Sequence, residues 1–166
     1  QTVDIVQNDP IVLQVESGDV DCYDNKNGWA KVQVTGGSGQ FNYSWELIGG
    51  GVISTSAQVS NLDAGNYRVT VSEKNNPNCK VVSDVIRISQ PQAPLSITYH
   101  VQDVKIHGEA TGGIALTPQG GTPSVMGEYN YQWLDGPGGF TAAETSSAII
   151  SNRLAGTYWV RVSDTH

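Results

Sequence analysis

Hydrophobic and polar residues alternate along this chain in short runs. In "NYRVTVSE", Asn66 to Glu73, the side chains of Tyr67, Val69 and Val71 share one side and those of Asn66, Arg68 and Thr70 the other. A period of two is that of a β-strand with one face in a core and one in water. No stretch of about ten residues carries apolar positions at helical spacing. Between residues 10 and 92 the pattern predicts strands at roughly 11–16, 29–35, 41–48, 51–54, 57–60, 66–73 and 80–89. Glycine and Asn/Asp clusters, "DNKNG", "TGGSG", "IGGG" and "EKNNPN", fall between them, where tight sandwich turns need residues that tolerate unusual backbone angles. The expected fold is all-β.

The pattern is written twice. "NLDAGNYRVTVSE", Asn61 to Glu73, has a near-double in "RLAGTYWVRVSD", Arg153 to Asp164. Both carry a leucine, an Ala-Gly pair, a tyrosine and an alternating run closed by an acid. Set 84 residues apart, Pro10 lies on Pro94, Asp19-Val20 on Asp103-Val104, Gly28 on Gly112 and Gly36-Gly37 on Gly120-Gly121. The second copy then inserts "PSVMGE", after which Phe41, Tyr43 and Trp45 match Tyr129, Tyr131 and Trp133, and Tyr67 matches Tyr158. Such internal self-similarity marks a tandem array. The expected architecture is two successive immunoglobulin-like Greek-key β-sandwiches.

The ends of the chain are out of phase with the repeat. "TVDIVQ", Thr2 to Gln7, resembles the closing run of the first unit, with Ile5 and Gln7 on Ile88 and Gln90. Residues 1–9 are therefore expected to be the last strand of a preceding repeat, residues 10–92 a complete repeat and residues 93–166 a second repeat without its final strand. Strand addition between molecules follows as an expectation, with residues 2–7 of one copy filling the vacancy in another.

Leu-x-Ala-Gly-x-Tyr resembles a tyrosine corner, in which Tyr67 and Tyr158 bend their hydroxyls back to the backbone across a crossover; otherwise each is a core aromatic, and either role is structural. Cys22 follows the first predicted strand and Cys79 precedes the last. First and last strands commonly approach in a sandwich, so a Cys22–Cys79 disulfide is expected, with two buried thiols as the alternative. Ile106 stands in the second copy where the first has Cys22. Tyr43, Trp45, Tyr131 and Trp133 take the inward phase of their strands. Trp29 and Trp159 take the outward phase and are the candidates for stacking on a glycan, although their places in the other copy are held by Gly113 and Arg68. Packing between repeats is the commoner role for such rings.

Composition narrows the function. Charged residues make up 15% of the 166, and the net charge is −7, which argues against nucleic acid because phosphate binding needs clustered Lys and Arg and these are scattered. No apolar run approaches the length needed to span a bilayer, so direct membrane insertion is not expected. "DVDCYDNKNG" offers Asp19, Asp21 and Asp24 as weak calcium candidates. Its spacing departs from an EF-hand, the second copy keeps only Asp103 of the acids while Lys105 replaces Asp21, and a solvated turn explains the acids as well. His100, His107 and His166 have no metal-ligand or triad-like neighbourhood, the glycines lack a phosphate-loop lysine, and no carboxylate pair stands out for a glycosidase. "NYS" at Asn42 matches a glycosylation sequon inside a predicted strand and is taken as chance. Neither catalysis nor a cofactor is expected.

Taken in order, Cys22, Gly28, "VTGGSGQFNYSW", "NLDAGNYRVTVSE", Cys79 and "VIRISQP" resemble the SprB-type repeat, a module arrayed many times in large surface adhesins of gliding Bacteroidetes. The resemblance covers Asp19 to Pro91 closely and Asp103 to Asp164 more loosely, departing at Ile106, at the insertion around Met126 and at the final strand. It implies a non-catalytic module, exported by the type IX route, displayed at the cell surface in association with the outer membrane, and serving attachment and gliding motility. The partners implied are neighbouring repeats of the same chain and surface polysaccharide. Short proline-bearing linkers, "QNDP" and "QPQAP", suit a semi-rigid string of beads. The rival reading is a carbohydrate-binding module attached to a secreted polysaccharide-degrading enzyme.

Overall fold

A computed structural model of the chain describes residues 8–124 and 126–165. Two compact units divide it, Gln1–Gln90 and Pro91–His166. Residues 1–7, expected to form the last strand of a preceding repeat, and His166 lie outside the described residues.

The first unit places β1 (Val12–Gly18), β2 (Gly28–Thr35) and β5 (Gln58–Leu62) in one antiparallel sheet. The other sheet orders β4 (Gly51–Ser54), β3 (Phe41–Leu47), β6 (Gly65–Glu73) and β7 (Lys80–Val82), with β8 (Ile86–Ile88) also pairing β6. Alternation sends Ala30, Val32, Val59 and Leu62 of the first sheet against Trp45, Tyr67, Val69, Val71 and Ile88 of the second. Their burial from both sides makes the unit a β-sandwich.

The run expected as one strand over 80–89 is two short strands. Between them Ser83 places its hydroxyl against the Val69 backbone N–H, which donates to it at 3.0 Å. A side chain here takes a place in the ladder, and the strand is interrupted without leaving that donor unpaired.

The second unit rebuilds the plan. β9 (Ser96–Gln102), β10 (Gly112–Gln119) and β12 (Ile149–Arg153) form one sheet, and β11 (Asn130–Asp135) pairs β13 (Trp159–Ser163) in the other. Leu116, Trp133 and Ile150 are its buried residues. In place of β4 comes one turn of helix, α1 (Ala142–Thr145), opened by a capping box: Glu144 N donates to the Thr141 hydroxyl while the Glu144 carboxylate accepts from Thr141 N.

The same bonds recur at equivalent places. Trp45 Nε1 donates to Ser56 O at 2.9 Å, and Trp133 Nε1 to Ser147 O at 2.9 Å. Asn61 and Asn152 both take the left-handed backbone, with φ of 57° and 55°. Gly36 and Gly120 share φ of 76°, and a side chain at either would collide with the carbonyl oxygen of Pro10 or Pro94. Only glycine fits such a position.

Candidate functional site

Tyr67 is buried and donates its hydroxyl to Asp63 O at 2.9 Å; Tyr158 does the same to Leu154 O at 2.8 Å. Each bond reaches back four residues across the passage from one sheet to the other, which is the geometry of a tyrosine corner. Burial, with the Asp63 charge adding to it, pushes the Tyr67 hydroxyl above its ordinary pKa, so the neutral donor is the form held at this crossover.

The tyrosine register corrects the alignment of the two phrases. Counting back from the tyrosines, Leu62 is matched by Arg153, not by Leu154. The ladders agree, since Gly28 faces Leu62 and Gly112 faces Arg153. Arg153 is buried at 8% exposure and fully engaged. Its guanidinium donates to Gly139 O and Ser151 O, pairs with Glu144, and lies 5.1 Å from the centre of the Phe140 ring. A core leucine has become a clip that fastens the 139–147 segment. Thr141 and Arg153 together hold the Glu144 carboxyl down to a pKa of about 2.

The acid that closes each phrase has a function the sequence did not disclose. Glu73 accepts from Ser38 N at 2.8 Å and from the Ser38 hydroxyl, and Asp164 accepts from Thr122 N at 2.7 Å. Each carboxylate ties its strand end to the turn after the Gly-Gly pair. The signal was present: an acid and a Gly-Gly pair occur in both copies at matched places, but their meeting depends on strand order.

The expected disulfide is not formed. Cys22 and Cys79 are both exposed and not joined to each other. Cys22 lies past the end of β1 where Gly18 faces Trp29, whereas Cys79 sits where its carbonyl accepts from Glu73 N, at the end where Val12 faces Thr35. β1 and the β7–β8 run point the same way, so residues after one and before the other fall at opposite ends of the sandwich. The seven residues of β1 extend about 20 Å, against the roughly 4–7 Å between Cα atoms that a disulfide needs.

Asp19, Asp21 and Asp24 serve the β1–β2 loop separately. Asp19 accepts from Ser89 N at 2.8 Å, Asp21 from Asn25 Nδ2 at 2.9 Å, and Asp24 N donates to Gln90 Oε1 at 3.3 Å. The Asn25 bond lowers the Asp21 carboxyl below its ordinary value. No group of three or more His, Cys, Asp or Glu gathers to hold a metal among the described residues. Nor is any helix among them long and apolar enough to cross a membrane. Trp29 lies over Gly18 on the neighbouring strand and is 37% exposed; Trp159, opposite Asp135 on β13, is 64% exposed.

Each unit has an open cavity: one of about 650 Å³ in the first, lined by Leu13, Val15, Val81 and Ile86 among others, and one in the second. It has a volume of about 640 Å³ and is lined by Tyr99, Val104, Gly112, Leu116, Trp133 and Tyr158 among others. Gln102, Asp103 and Arg153 also border it, and Leu116 and Trp133 of the buried core lie at its floor.

No curated protein and no solved structure matches the chain. The SprB repeat family matches it twice, at residues 15–48 of the first unit and 98–138 of the second, as the order of motifs led us to expect.

Proposed function

We propose that the chain is a stretch of the non-catalytic stalk of a large secreted cell-surface adhesin, in which each sandwich is a semi-rigid bead serving surface attachment and gliding motility. Export by the type IX route and association with the outer membrane belong to the same reading. The observation that carries it is the selective likeness of the two units. What recurs is what holds a bead's shape: the tyrosine corner, the Trp-to-carbonyl bond and the acid capping the Gly-Gly turn. What differs is the exposed surface, where Trp29 gives way to Gly113 and Arg68 to Trp159. Repeats that shared a ligand platform would reuse its position. Repeats that supply reach need only reuse their core, with stability accumulating bead by bead. Antibodies raised against the 166-residue chain should label intact cells of the source organism and slow their attachment; labelling that appears only after lysis would remove the proposal.

The exposure of Trp159 favours a second reading, a carbohydrate-binding module of a secreted polysaccharide-degrading enzyme, because a flat exposed indole stacks on sugar rings. A glycan array probed with the unaltered chain and with Trp159→Ala and Trp29→Ala separates the two: signal lost in either variant favours the module.

A further inference from the structure

Asn or Asp stands directly before glycine at two places, Asn27-Gly28 and Asp135-Gly136. A glycine nitrogen has no neighbouring side chain to obstruct its attack on the side-chain carbon of the residue before it, so either pair has the chemistry to close a five-membered imide. The fold treats the two differently. Gly28 is buried at the start of β2 opposite Leu62, and the Asn27 side-chain oxygen is turned to another amide, the Asp21 N–H, at 3.2 Å. Asp135 ends β11 and is exposed. There the Gly136 N–H donates to Oδ1 of Asp135 itself at 2.8 Å. Cγ is one bond from that oxygen and so stands roughly 3–4 Å from the nitrogen, against the roughly 3–3.5 Å of a near-attack arrangement.

Two demands of the second unit create this pair. A Cβ on residue 136 would run into the Tyr158 ring, so the tyrosine that pins the crossover admits glycine alone beside it. With β11 ending at Asp135, the Gly136 N–H takes a side-chain acceptor, a service that aspartate performs at the edge of a turn. Counted from Trp45 and Trp133, the first unit has Leu47 and Ile48 at these places. Ile48 N donates to the backbone oxygen of Asn66 at 2.9 Å, so the equivalent nitrogen stays within the sheet.

We propose that Asp135-Gly136 is a self-modification site, at which the folded chain converts aspartate to isoaspartate, and that conversion releases the clipped segment 139–147. The Gly136 nitrogen gives up its proton and attacks Cγ of the protonated Asp135 carboxyl. The N–Cγ bond forms, the Cγ–OH bond breaks, and hydroxyl and proton leave as water. A second water then opens the imide. Addition at Cγ restores Asp135; addition at the main-chain carbonyl breaks the original peptide bond and leaves the chain running through the side-chain carboxyl. No oxidant or cofactor is needed. The product carries one extra carbon in its main chain, inserted between two fixed points: the pairing of Asp135 with Trp159, and Gly139 O, which accepts from Arg153 at 2.7 Å. Phe140, packed against Trp133 and Tyr158, follows directly.

The 166-residue chain is held at neutral pH and moderate heat, folded and in urea, and mapped by peptide mass with a protein-isoaspartate methyltransferase as labelling reagent. A species lighter by one water and then isoaspartate should accumulate at residue 135 in the folded chain at least as fast as in urea. Folding should slow conversion of Asn27 about tenfold or more. Folding that slows conversion at residue 135 overturns the proposal. Asp135→Glu, whose longer side chain would have to close a six-membered ring, should end the labelling at this place; labelling that persists there also overturns it. Converted chain, separated by its changed elution, should exchange the amides of residues 139–147 about tenfold faster than unconverted chain, with residues 8–90 unchanged. Equal exchange in the two forms overturns the release of the segment.

Discussion

At the scale of single residues, a few polar atoms set how each bead closes. The Tyr67 hydroxyl satisfies Asp63 O where the chain crosses between sheets. Tyr67→Phe keeps the ring and removes the donor, and should lower the stability of the first unit by about 1–2 kcal/mol, read as a shift in urea midpoint at unchanged slope. A shift within error would mean that water serves Asp63 equally well. Glu144 carries a pH dependence. Its carboxyl is held at about 2 against an ordinary 4.5 by the Thr141 bonds and Arg153. A carboxyl lowered on folding stabilises the folded form above its unfolded pKa, and that contribution drains away as protons bind. The second unit should therefore weaken as pH falls from about 4.5 through about 2, and Glu144→Gln should flatten that window. Thermal midpoints of both proteins across it test the sign; parallel curves would show that Glu144 does not carry the dependence.

At the scale of elements, Arg153 shows how one position can be solved in two ways. In the first unit Leu62 fills the place facing Gly28. In the second a buried guanidinium does, and α1 with its capping box supplies the counter-charge. Arg153→Ala empties a buried place and loses the bonds to Gly139 O and Ser151 O, and should cost the second unit about 3 kcal/mol. Arg153→Leu, which copies the first unit and refills the site, should cost less than Arg153→Ala, since both leave Glu144 without its partner and only the smaller side chain also leaves a cavity. Equal losses in the two variants would show that the clip to the 139–147 segment matters more than filling the site. Strands, turns and tyrosine corners were legible in the sequence because each is a local pattern: alternation, glycine at a forbidden backbone angle, a tyrosine a fixed distance after Ala-Gly. What local pattern does not record is which ends meet. Cys22 and Cys79 flank strands that lie close yet run in the same direction, so adjacency of strands did not imply adjacency of cysteines. The break at Ser83 was hidden because "KVVSDVIRI" is rich in β-branched residues on both sides of it, while the inward phase shifts from Val81 to Ile86 and Ile88 across Ser83-Asp84. The burial of Arg153 follows from the register that sets it opposite Gly112, which its neighbours in sequence do not disclose.

At the scale of the whole molecule, one repeat written twice yields two units with buried cores of unequal size. Ten hydrophobic residues are buried in the first core and three in the second, among those described. Leu116 and Trp133 of the second core border an open cavity of about 640 Å³. Apolar burial is the main favourable term in folding, so residues 91–165 should lose amide protection at lower urea than residues 8–90. Hydrogen exchange followed by mass spectrometry across a urea series resolves the two by peptide. If both units lose protection together, the smaller buried core of the second unit does not set its stability.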